Sequence, residues 1–95
     1  MMLGRIKFEQ GAYADAEPLL SQAVEGYRNA NTWGRYWAEG LHAENLVRLG
    51  RQAEGKALLR SAYQELLKRQ SAIPLDYHSN LELVRQWATS EGVAQ

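Results

Sequence analysis

Apolar and small residues return every three or four positions along most of this chain. Ala16, Leu20, Ala23 and Tyr27 follow that step, as do Gly55, Leu59, Ala62 and Leu66, so each set falls on one face of an α-helix. A further face runs through Ala38, Leu41, Leu46 and Leu49, behind Asn31 or Thr32, either of which suits a helix cap. Tyr77, Leu81, Val84 and Ala88 mark another, with Asp76 as its cap and with Glu82, Arg85 and Gln86 turned to water. Adding the helical stretch that ends at Gln10, the pattern predicts an all-α chain of five helices without a sheet.

Two of these helices belong to similar stretches. "GAYADAEPLLSQA" at 11–23 and "GRQAEGKALLRSA" at 50–62 align at an offset of 39 residues, matching Gly11 with Gly50, Ala14 with Ala53, Leu19 and Leu20 with Leu58 and Leu59, and Ala23 with Ala62. Each begins at a glycine that ends an earlier helix. The unit is helix, turn, helix, present twice. Gly4 and Ala43, seven positions before each glycine, put small residues on the earlier helix, and Ala16 and Gly55 answer on the later one. Small side chains on both members let antiparallel helices approach closely where they cross. Pro18 is the anomaly: it bends a helix that starts near Ala12, or else lies in the first turn of one capped by Asp15.

This arrangement resembles the tetratricopeptide repeat, in its longer-repeat bacterial variety. The motif residues are Leu3, Gly4, Gly11, Tyr13, Ala16, Leu20 and Ala23 in the first unit, and Ala43, Leu46, Gly50, Gly55, Leu59 and Ala62 in the second. Departures are His42 and Lys7 at places usually apolar, and a spacing longer than the usual 34. The resemblance implies antiparallel helix pairs stacked as a short superhelix. The first unit would span about 1–30 and the second about 32–70, followed by a turn near 71–76, a capping helix at about 76–90 and a frayed tail at 91–95. Measured against the family pattern the chain begins inside its first helix, leaving Met1, Met2, Leu3, Ile6 and Phe8 as an uncovered apolar end.

Composition narrows the function. Eleven basic residues balance eleven acidic ones, which argues against nucleic acid as a partner. With no cysteine there is neither a disulfide nor a thiolate metal site, and no apolar run has the length of a membrane span. The start, "MMLGRIKFEQG", lacks the pattern of a secretory signal, so a cytoplasmic protein with no membrane partner is expected.

Chemistry leaves little trace. No phosphate-cradling loop, strained nucleophile or metal-spaced histidine pair is present, so no catalytic residue, cofactor or metal is assigned and an enzyme is not expected. His42 reads as a side chain satisfied locally by Asn45 and Glu44, His78 as an exposed polar residue, and Glu39 with Glu44 as a solvated surface. "TWGRYW" concentrates Trp33, Tyr36 and Trp37; at least two should pack inward, and if one lies outside it is Trp37. The resemblance makes the first helix of each pair the lining of a concave face that binds a peptide or helix of a partner protein. Carried over by position, that lining is Arg5, Phe8 and Glu9, then Trp37, Glu44, Val47 and Arg48. Family members that clamp a terminal carboxylate use lysine, asparagine and arginine, whereas the corresponding places here hold Arg5 and Glu44, so no such clamp is expected. Arg5 and Arg48 stand as candidates for an acidic side chain of the partner. The alternative is self-association, a homodimer formed through the uncovered first helix.

Overall fold

The computed structural model describes residues 2–94 and is all-α. Among the described residues the helices are α1 (Met2–Glu9), α2 (Tyr13–Gly26), α3 (Trp33–Arg48), α4 (Gln52–Lys68) and α5 (His78–Ser90). Two short 3-10 turns, Gln70–Ala72 and Leu75–Tyr77, carry the chain from α4 into α5. Helices α1 and α2 form one pair, α3 and α4 the next, and α3 lies against α2, α4 and α5. Met1 and Gln95 lie outside the described residues.

The repeated sequence returns as repeated hydrogen bonding. Gly11 and Gly50 take the left-handed backbone, φ +79° and +91°, which glycine adopts without steric cost. Around Gly11 the Gly11 and Ala12 N–H groups donate to the Phe8 and Lys7 carbonyls at 3.0 and 2.9 Å. Around Gly50 the Gly50 and Arg51 N–H groups donate to those of Val47 and Leu46 at the same distances. This pairing ends a helix by satisfying carbonyls that its last turn leaves over. Gly92, φ +75°, repeats it after α5. The tail expected to fray therefore turns back and buries Val93 at 6% exposure.

Small residues set the crossings. A Cβ on Gly4 would stand 2.9 Å from the Leu20 Cδ2, and one on Gly55 would stand 2.8 Å from the Ala43 carbonyl oxygen. The side chain of Ala16 is fully buried. At Gly40, Val84 of α5 comes to within 3.1 Å of where a Cβ would be, so the glycine that weakens α3 locally is also where α5 crosses it. Ten of the sixteen residues of α3 are buried, which suits a helix with neighbours on three sides.

Other expectations need correction. Helix α2 runs unbroken from Tyr13 through Pro18, so Asp15 is not its cap. Pro18 and Ala14 both face solvent, where water can satisfy the carbonyl that loses its donor. Tyr27 is 38% exposed rather than inward, because the eight residues of α1 are too few to cover the last turns of the fourteen-residue α2. Leu49 is exposed at the turn that follows α3. Thr32 holds the cap position of α3 in extended backbone without a side-chain bond. Asp76 caps nothing, since α5 starts at His78, and Tyr77 is 49% exposed with its ring against Trp33, centroids 5.2 Å apart. No helix among the described residues is long and apolar enough to cross a membrane.

Candidate functional site: an aromatic cleft between three helices

One face of the stack is made by α1, α3 and α5, the helices that lead into the three glycine turns. Residues one helical turn apart on each point to the same side: Arg5 with Phe8 and Glu9, Trp37 with Leu41, and Leu83 with Trp87. Together they line a half-open cleft of about 120 Å³. An apolar cavity of about 150 Å³ holds a benzene molecule, so this one suits a single bulky side chain.

Its floor is aromatic. The Trp37 and Trp87 rings stack with centroids 6.0 Å apart and planes 13° from parallel, and Phe8 meets Trp87 edge-on at 5.5 Å and Tyr13 at 5.6 Å. Offset stacks and edge contacts match the positive edge of one ring to the negative face of another. Trp37 and Tyr36 are both buried, at 6% and 8% exposure, so two of the three aromatics pack inward as expected, and Trp37, the candidate had one lain outside, is stacked against Trp87. Both arginines tie the rim to the floor. Arg5 lies 5.2 Å above the Trp37 ring and pairs with Glu9 at 3.4 Å. The Arg48 guanidinium sits over the Phe8 and Tyr13 rings, donates from Nε to Glu44 Oε2 at 2.8 Å and gives another bond to the Tyr13 hydroxyl at 2.8 Å. Neither is a bare cation waiting for an acidic partner.

Three positions carried over from the resemblance lie outside the cleft. Val47 is spent at the α3–α4 crossing, its Cγ2 2.7 Å from a Cβ built on Gly55. Glu44 is only 1% exposed, which overturns the solvated reading. Burial pushes its carboxyl above the ordinary 4.5, the Arg48 bond works the other way, and Glu91 beside it pushes it up further. Arg48 closes the end of the cleft over Phe8 without lining it. Conversely, Leu41, Leu83 and Trp87 line the cleft and were not foreseen. The signal was present in the four-residue step from Leu83 to Trp87, a second face on a helix that was assigned one.

The histidines are structural. His42 Nε2 meets the Glu17 carboxylate at 3.1 Å across the α2–α3 contact, so its partner comes from the other repeat unit and not from Asn45 or Glu44. Asn45, fully buried, donates to the Tyr13 carbonyl at 3.0 Å. His78 is half-buried, its Nε2 2.9 Å from the Ile73 carbonyl oxygen. Glu39 is paired with Arg35 at 2.9 Å. No group of three or more candidate metal ligands occurs among the described residues.

The fold and cleft together define a short stack of helix pairs with an aromatic hollow on one face. The chain matches no family model, and neither the curated proteins nor the solved structures contain a match to it.

Proposed function

We propose that this protein is an interaction module of tetratricopeptide-repeat type that binds a segment of a partner protein by seating one bulky apolar side chain in the cleft of its concave face. The observation that supports this reading is the cleft itself, in which the leading helices of three successive layers contribute aromatic or aliphatic walls and an Arg5–Glu9 rim. Buried aromatic pockets rimmed by arginine are where protein interfaces concentrate their binding energy. The ion pair at the rim offers a donor and an acceptor to the backbone or polar side chains of the bound segment.

Selection from a displayed library of short peptides tests the reading. Leu83 lines the cleft and is half-buried, so Leu83→Trp fills the hollow. The variant is expected to keep its helical signal and lose the selected peptides at least about tenfold, a typical cost for closing an interface pocket. Peptides that bind both forms equally, or a selection that yields none, would remove the concave face from consideration.

A second reading, a homodimer, rests on a different surface. Met2, Leu3 and Ile6 are 79%, 54% and 41% exposed along the outer face of α1. Phe8 does not join them, because it is buried in the cleft floor. Light scattering over a concentration series distinguishes the readings: a dimer through α1 is lost on Ile6→Glu, whereas a monomer at every concentration refutes it.

A further inference from the structure

Helix α1 carries two surfaces that meet along one edge. Each residue advances by about 100° around a helix, which turns Gly4 and Phe8 inward and leaves Met2 and Ile6 at the centre of the exposed side, with Leu3 beyond them. Arg5 and Glu9 border that side where it meets the cleft, which they also line. The exposed apolar stripe therefore ends at an edge that holds one positive and one negative group four residues apart, and the same edge is the rim of the cleft.

This edge is complementary to itself. A two-fold axis crossing α1 at the level of Lys7 is equidistant from Arg5 and Glu9, so a second copy laid antiparallel brings its Glu9 to the Arg5 of the first and its Arg5 to the Glu9 of the first. Antiparallel helices place the same edge of both side by side, and charges on such edges set orientation in helix pairs. Lys7 stands on the other side of α1, out of the contact. In this register the Ile6 residues of the two copies lie only about 3 Å apart along the axis, so the apolar stripes overlap at their centres. Both charged groups have capacity to spare: the Arg5 Nε stands 3.4 Å from Glu9, longer than the roughly 2.8 Å of a charge-assisted bond, and the side chains are 37% and 58% exposed.

We propose that a second copy of this chain docks antiparallel along the exposed side of α1, with Met2 and Ile6 at the centre of the contact and two reciprocal Arg5–Glu9 pairs along the cleft edge, so that each cleft is rimmed by residues of both copies. This inference rests on the homodimer reading and adds to it the orientation, the pairing that fixes the orientation and a share in the cleft. The apolar surface exposed by Met2, Leu3 and Ile6 is on the order of a few hundred Å², short of the roughly 800 Å² per partner of a stable interface. The dimer is therefore a weak one, formed as the concentration rises.

Sedimentation equilibrium on the whole chain, up to about millimolar concentration, tests the pairing. Arg5→Glu sets carboxylate against carboxylate at both reciprocal contacts, and Glu9→Arg sets guanidinium against guanidinium, so each variant alone should associate at least about tenfold more weakly than the unaltered protein. An equimolar mixture of the two variants should recover the dimer, because each copy then offers the charges that the other lacks. Mixing does not rebuild the ion pair inside either chain, so recovery reports a contact between copies and not the stability of α1. An unaltered protein that stays monomeric overturns this inference together with the homodimer reading. A dimer that Ile6→Glu abolishes but both charge variants keep, or a mixture that associates no better than its components, overturns this inference alone. Peptide binding in the cleft is read separately through Leu83→Trp and stands or falls by its own result.

Discussion

Adding a single methyl group at Gly55 tests the helix crossing on which the second pair depends. Two effects compete. Alanine is the better helix former by about 1 kcal/mol in a helix interior, which favours Gly55→Ala. Against this, the new Cβ would lie 2.7 Å from Val47 Cγ2, 2.8 Å from the Ala43 carbonyl oxygen and 2.9 Å from the Val47 nitrogen. Two of those atoms are backbone of α3 and cannot rotate away, so the helices must separate, at the roughly 1–3 kcal/mol typical of overpacking. The clash wins, for a net loss of about 1 kcal/mol, or roughly 4–8 °C in melting temperature for a domain of this size. Two further glycines calibrate the result. At Gly40 the nearest atoms are the methyl tips of Val84 at 3.1 and 3.5 Å, which can shift, so Gly40→Ala should stay close to neutral. Gly26 has nothing within 4 Å, and Gly26→Ala should gain about 0.5 kcal/mol from reduced freedom of the unfolded chain. Thermal unfolding followed by helical circular dichroism reads all three. A Gly55→Ala protein that melts at or above the temperature of Gly26→Ala would refute the crossing as described.

The equivalent position in the first pair is Ala16, fully buried, where Ala16→Leu should cost about 1–3 kcal/mol by the same mechanism; an unchanged melting curve would count against the register. Arg48→Ala should cost about 1–3 kcal/mol, since it strands the buried Glu44 oxygen and the Tyr13 hydroxyl. Arg28→Ala, which breaks a pair exposed at both ends, should stay within about 0.5 kcal/mol, and equal effects of the two in denaturant titrations would show that Arg48 is a surface residue after all.

What the sequence disclosed was whatever depends on neighbours in the chain. Gly11 and Gly50 announced their turns because a left-handed residue at a helix end is a local requirement, and Ala16, Leu20, Leu59 and Ala62 announced their faces because helical periodicity is local too. Misplaced residues were those whose surroundings come from far along the chain. That Trp33, Tyr36 and Trp37 pack mostly inward was legible, but the partner of Trp37 was not, because Trp87 stands fifty positions later. Glu44 looked solvated because an i,i+4 partner such as Arg48 is what a surface carboxylate also has, and nothing local shows that the residue is only 1% exposed. His42 found Glu17 in the other repeat unit by the same logic. Val47 was carried into the groove by a motif position, yet the missing side chain of Gly55 draws it into the crossing.

The Phe8–Trp87 contact makes this stack different from a chain of independent layers. In a regular repeat array each unit touches only the next, and stability is close to a sum of neighbour terms. Here Phe8 of the first helix touches Trp87 of the last, while Trp37 between them stacks on the same ring and carries Arg5 on its other contacts. First, second and third layers therefore meet at one aromatic cluster, and that cluster is also the floor of the cleft. Residues that both hold the fold together and form the cleft floor leave little room for a substitution that affects only one of those tasks. Leu83, half-buried on the wall, can change the shape of the hollow while the cluster beneath it stays intact, and for that reason it separates what the cleft does from what the fold needs.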